Sequence, residues 1–224
     1  MKKLFFLFAA VLLSVSCSHT GSTVKYPNMI ADMDPYSIGS VNASLDQTFS
    51  FQVKSVTAEV FFHPRENEVV LEWNNNMAQY WQFWDEPCRQ LFIEALKRYN
   101  EDFASQNLTA KYSKSRAIYG KQKGRLHWKT LKISTTYRAS PNIEFGYRFR
   151  DNAPYFTTNQ PEAKVENITD ERGVTKSPAI PMYFTRAQAE ELAKLFDQAF
   201  LLESMEGRET KPPIDDTRDL YIPR

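Results

Sequence analysis

Between Lys111 and Lys132 the chain carries Lys111, Lys114, Arg116, Lys121, Lys123, Arg125, Lys129 and Lys132 with no acidic residue among them, interleaved with Tyr112, Tyr119 and Trp128. Cations spaced among aromatic rings suit a polyanionic surface. Lys111, Lys114, Arg116, Lys121, Lys123 and Arg125 are therefore the candidate contacts to an anionic ligand. The competing reading is a solvated basic hairpin balanced by acids elsewhere, since the whole chain has a net charge of only +1. Tyr80, Trp81, Phe83 and Trp84 form a second cluster, readable as core packing or as an aromatic groove for a ligand or partner. Asp85 and Glu86 follow directly and resemble the carboxylate pair of a sugar-cleaving site. Adjacent carboxylates on a helix point in different directions, however, and suit a helix cap plus first-turn charge.

Other chemistry is sparse. His19, His63 and His127 stand apart from Cys, Asp or Glu at ligand spacing, so no metal is expected. His63 precedes a proline in a turn, and His127 alternates with Leu126 and Trp128. The sequence has no G-x-S-x-G elbow and no H-E-x-x-H pair. With only 7 glycines, a phosphate-cradling loop is not expected, nor is a cofactor. No catalytic residue is assigned. Cys88 reads as a small buried hydrophobe.

The first residues carry a different signal. Met1-Lys2-Lys3 is a basic head, Leu4 to Leu13 an apolar run, and Ser14-Val15-Ser16-Cys17 a small-residue end, the parts of a secretory signal peptide. The run is too short to span a bilayer. Leu13-Ser14-Val15-Ser16-Cys17 resembles the lipobox of bacterial lipoprotein precursors, with Ser14 where the box usually holds Leu or Val. The resemblance implies cleavage before Cys17 and acylation of its thiol. Each buried methylene of an acyl chain adds roughly 0.8 kcal/mol of membrane affinity, so two or more chains hold a protein stably. Ser18-His19 lacks the aspartate associated with inner-membrane retention in such lipoproteins, which favours the outer membrane.

The elements that must position these residues follow from periodicity. Residues 1–16 read as the leader, 17–47 as a lipidated N-terminus and flexible tether, 48–203 as one globular domain, and 204–224 as an extended tail containing Pro212, Pro213 and Pro223. Phe49 to Phe62, with a bulge near Lys54-Ser55, and Val69 to Trp73 predict a β-hairpin. Met77, Trp81, Trp84, Cys88, Leu91, Phe92, Ala95, Tyr99 and Phe103 recur at helical steps, with Pro87 marking a kink or a restart capped by Asp85. Leu126 to Tyr137, with a bulge near Thr130, Ile143 to Phe149 and Tyr155 to Thr158 predict a meander. Ile180 to Phe184 is a last strand, placed at a sheet edge by Pro181. Thr185 and Gln188 form a capping box for a second helix striped by Ala189, Leu192, Leu195, Phe196, Ala199 and Phe200.

Hairpin, helix, meander and helix predict an α+β fold: a mainly antiparallel twisted sheet of about six strands with helices covering one face. The expected function is a non-catalytic, membrane-tethered envelope lipoprotein. It would be held by the lipid on Cys17 and would bind a protein partner, an anionic lipid or glycolipid, or a cell-wall polymer. Nucleic acid is not an expected partner. The alternative is a periplasmic or surface hydrolase of glycans or lipids whose catalytic residues the sequence does not reveal.

Overall fold

The computed structural model describes residues 26–46, 53–112, 117–130, 135–167 and 173–208. The leader, Cys17, Phe49, Phe51, Lys114, Arg116 and the tail beyond residue 208 lie outside these. Among the described residues ten strands are present: β1 (Tyr36–Asp46), β2 (Val53–His63), β3 (Glu68–Asn75), β4 (Ala78–Trp84), β5 (Ile118–Lys123), β6 (Arg125–Thr130), β7 (Tyr137–Ala139), β8 (Asn142–Arg150), β9 (Ala153–Gln160) and β10 (Ile180–Phe184). The helices are α1 (Glu86–Ala104), α2 (Arg186–Phe196) and α3 (Gln198–Glu203), and a single 3-10 turn covers Ala110–Tyr112. All sheet pairings are antiparallel, and the sheet order is β5-β8-β9-β10-β1-β2-β3-β4-β6-β7.

This corrects the expected six-stranded layer under helices. The sheet is a ten-stranded curled half-barrel and the helical share is small. Its inner surface is built by alternation: Val41, Ala43 and Leu45 of β1, Val56, Ala58, Val60 and Phe62 of β2, and Val69, Leu71 and Trp73 of β3 are all buried. Side chains from distant strands meet inside the curl, where Gln82 Nε2 of β4 donates to Gln160 Oε1 of β9 at 2.9 Å.

The two ends of the strand order are joined by one bent hairpin. Only Gly124 separates β5 from β6, and only Ser140-Pro141 separates β7 from β8. Lys123 opposite Asn142 and Leu126 opposite Ala139 keep the same register across the bend. Gly124 N donates to Pro141 O at 2.9 Å at the place that register assigns. One half of the hairpin pairs with β4 and the other with β9. Followed through the bend, the pairings lead from β1 round to β10, which pairs back to β1 at Ser44–Tyr183 and Leu45–Met182.

Several expectations are corrected by this arrangement. The proposed tether contains β1, which lies between β2 and β10. β1 and β2 pair without a shift at Lys54-Ser55, and the irregularity falls at Ser37/Gly39 instead. The helix expected from Met77 begins only at Glu86, and Ala78–Trp84 is a strand. Asp85 does cap α1, its Oδ1 accepting from Cys88 N at 3.0 Å, and Pro87 falls in the first turn, where a missing N–H costs no helical bond. β10 is an interior strand; Pro181 is tolerated because β1 pairs only with Met182 and Tyr183 beyond it. The Thr185–Gln188 capping box is present, but the second helix breaks at Asp197, which caps α3 through Phe200 N.

α1 and α2 pack on the curl, α1 against β5, β8 and α2, and α2 against β1, β9 and β10. Trp84, Phe92, Phe145, Phe156 and Phe196 form the centre of the core. Trp84 lies 4.8 Å from Phe196, and Phe92 meets Phe156 edge-on at 5.3 Å. Tight turns use residues that tolerate positive φ: Asn67 after β2, Asn76 after β3, and Asp151-Asn152 after β8.

Candidate functional site

Strand geometry decides what the aromatic cluster can do. Along β4 successive side chains point to opposite faces, so Tyr80, Trp81, Phe83 and Trp84 do not share one groove. Trp84 is fully buried in the core, and Tyr80 stacks on Trp73 at 5.3 Å. Trp81 and Phe83 point to the outer face, each beneath a cation from β6: Lys129 Nζ lies 5.2 Å from the Trp81 ring and the Arg125 guanidinium 4.6 Å from the Phe83 ring.

Register then assembles a second set of groups around Phe83. Phe83 is directly opposite Arg125, and Trp81 is opposite His127. His127 lies 4.5 Å from the Phe83 ring, and His63 meets the same ring edge-on at 6.2 Å. Arg125 pairs with Glu68 at the start of β3. Burial, then the nearby Arg125 charge, lowers the His63 pKa to about 4. Burial, then Arg138 and Arg125, lowers that of His127 to about 4. Both imidazoles are thus neutral at neutral pH. Burial pushes the Glu68 carboxyl above its ordinary range, with Arg125 opposing the shift.

A cleft of about 410 Å³ opens beside this group. Glu68 of β3, Phe83 of β4 and the α1 cap Asp85 line it on one side, and Gln122 to Arg125, with Ser140, line it from the hairpin bend. Of the basic residues read from the sequence, Lys123 and Arg125 reach the cleft. Lys121 is exposed on β5 opposite Glu144, Lys111 lies in the 3-10 turn, and Lys114 and Arg116 are outside the described residues. The described members of the basic run lie on β5, on β6 and in the 3-10 turn. Glu68 and Ser140 were missed by sequence reasoning. Neither belongs to a motif, and only the fold brings them to the cleft.

Asp85 and Glu86 do not act as a pair: Asp85 caps α1, and Glu86 Oε2 accepts from Asn67 Nδ2 at 3.0 Å. Cys88 is a buried free cysteine whose thiol is pushed up by burial. Among the described residues no group of three or more His, Cys, Asp or Glu is placed to hold a metal ion, and no helix is long and apolar enough to cross a membrane.

Fold and cleft together define a curled antiparallel half-barrel carrying a mixed-charge cleft at a hairpin bend. A family model described as "Uncharacterised Treponema protein" matches residues 35–203, and the chain belongs to that family. The matched stretch runs from the residue before β1 to the last residue of α3, so it coincides with the folded unit. A protein of Treponema pallidum (strain Nichols), described as "Uncharacterized protein", is 24% identical over 203 residues, covering 89% of this chain and 69% of the relative. No solved structure matches.

Proposed function

We propose that the protein is a lipid-anchored, non-catalytic binding protein of the bacterial cell envelope, tethered through Cys17 and placed at the outer membrane. The reading is carried by the leader, in which a basic head, an apolar run and Cys17 follow in the order of a lipoprotein precursor. Support from the fold is indirect. The chain joins the fold by Ile30, whose N donates to Pro64 O at 3.0 Å, and by the buried Met33, so any spacer after Cys17 lies before these residues. The cleft supplies a place for a partner, lipid or wall component, with Lys123 and Arg125 as its cations.

A hydrolase of glycans or lipids is the second reading. It draws on the meeting of Glu68 and Asp85 in one cleft and on the raised Glu68 carboxyl. Both carboxylates have other partners, Glu68 with Arg125 and Asp85 with the first turn of α1, which favours binding over catalysis.

The test is intact mass and membrane fractionation of the native protein beside Cys17→Ala. An acylated chain starting at Cys17, lost from the membrane or left as precursor in the variant, is the expected result. An unmodified chain that fractionates alike in both forms overturns the anchoring.

A further inference from the structure

The cleft at the hairpin bend combines charges of both signs. Lys123 and Arg125 enter from the bend, Glu68 from β3 and Asp85 from the cap of α1, and the four sum to zero. Arg125 and Glu68 neutralise each other. Lys123 and Asp85 form no ion pair among the described residues, although they line the same cleft. Asp85 uses Oδ1 to cap α1, leaving Oδ2 to accept from a ligand. With the Arg125–Glu68 pair neutralised, a simple anion drawn to Lys123 would face the Asp85 carboxylate, and a simple cation drawn to Asp85 would face the Lys123 ammonium. Each would meet repulsion equal in kind to its attraction. Only a molecule carrying both signs pairs with both.

We propose that this cleft binds a small zwitterion, its ammonium group directed to Asp85 and its carboxylate or phosphate to Lys123, with the Gln122 amide and the Ser140 hydroxyl available as neutral hydrogen-bonding partners. The inference deepens the binding reading above and rests on it, but it does not require the lipid anchor. The placement of Lys123 and Asp85 on the lining of one cleft, with no ion pair between them, is the observation that supports it. The long basic run then contributes two of its members, Lys123 and Arg125, to this site.

The experiment is titration of the full chain, in detergent, with the dipeptide alanylalanine, read by calorimetry and by amide shifts at Gln122 to Arg125. Two probes remove one charge each: N-acetyl-alanylalanine and alanylalanine amide. Glycerophosphoethanolamine supplies the same pair of charges in a lipid headgroup. Saturable binding of the dipeptide or of the headgroup, about tenfold weaker for both blocked dipeptides where the dipeptide binds, is the expected result, and whichever zwitterion binds identifies the source. Lys123→Met and Asp85→Ser should each weaken binding similarly, and the serine keeps a cap on α1 so that folding is preserved. An unchanged melting temperature checks this. Equal affinity for the blocked forms, unaltered affinity in both variants, or no saturation with either zwitterion overturns the proposal. Membrane fractionation reads the anchor separately, so the two failures are distinguishable.

Discussion

The guanidinium of Arg89 grips both polar ends of Asn67: Nη1 donates to the Asn67 carbonyl at 2.7 Å and Nη2 to its side-chain Oδ1 at 3.0 Å. Arg89 is fully buried, and the same group also reaches Trp84 O at 3.1 Å and Gln198 Oε1 at 2.6 Å. One side chain therefore ties the β2–β3 turn, the end of β4 and the start of α3 together. The cation has no direct carboxylate partner in this set, and burial lowers its pKa. Glu86 touches it only through Asn67.

Arg89→Met should lower unfolding free energy by about 3 kcal/mol, because three buried acceptors and the half-buried Gln198 Oε1 lose their donor. Arg89→Lys should recover little of that, since one ammonium cannot span the two Asn67 oxygens. Denaturant titration reads both. A midpoint close to that of the native protein in Arg89→Met would show the clamp to be dispensable.

The Gln82–Gln160 bond crosses the interior, and Gln82 Oε1 and Gln160 Nε2 have no further partner among the described residues. Gln82→Leu alone strands the amide of Gln160 and should cost about 2 kcal/mol. The Gln82→Leu/Gln160→Leu double variant should cost less than the sum of the singles, by about 1 kcal/mol of coupling. Strict additivity in thermal unfolding would mean that the two amides do not interact.

Acid should weaken the fold through His63 and His127. Each has a folded pKa of about 4 against an ordinary 6.5, so the unfolded chain takes up protons first as pH falls. Stability from these groups is complete above pH 6.5, declines between 6.5 and about 4, and is flat below. Glu68, raised in the fold, acts in the opposite sense just above its ordinary 4.5, where the folded state binds the extra proton. His63→Gln/His127→Gln should flatten the decline and Glu68→Gln should steepen it, measured as unfolding midpoint against pH. A slope unchanged in the histidine double variant would assign the acid sensitivity elsewhere.

What the sequence showed depended on whether polarity and face coincided. β8 was legible because Ile143, Phe145 and Tyr147 point inward while Glu144 and Arg148 alternate with them. The capping box at Thr185 was legible because its bonds are local. β4 was hidden because a polar residue, Gln82, faces the core while Trp81 and Phe83 face outward, so its apolar residues read as a helical stripe running into α1. β1 does alternate at Val41, Ala43 and Leu45, but its small and polar residues resembled a linker. Pro181 pointed to an edge, yet the rule concerns N–H groups that a ladder needs, and β10 is zipped to β1 only beyond that position. The cleft was out of reach, since Glu68, Asp85, Lys123 and Ser140 meet only through the bend at Gly124.

The return of β10 to β1 sets a timetable for the chain. Tyr183 Oη donates to Asp46 Oδ2 at 2.7 Å across 137 residues, and the β1–β10 ladder lies at the same place. β2 is available to β1 as soon as the first hairpin exists, but the other side of β1 has no partner until nearly the whole folded unit has been made. During that interval β1 is a bare strand edge, competent to pair with any neighbouring chain. Aggregation of newly made protein should therefore be governed by how quickly β10 arrives, and truncation before Ile180, which leaves β1 without its second neighbour and strips α2 and α3 from the core, should yield insoluble product.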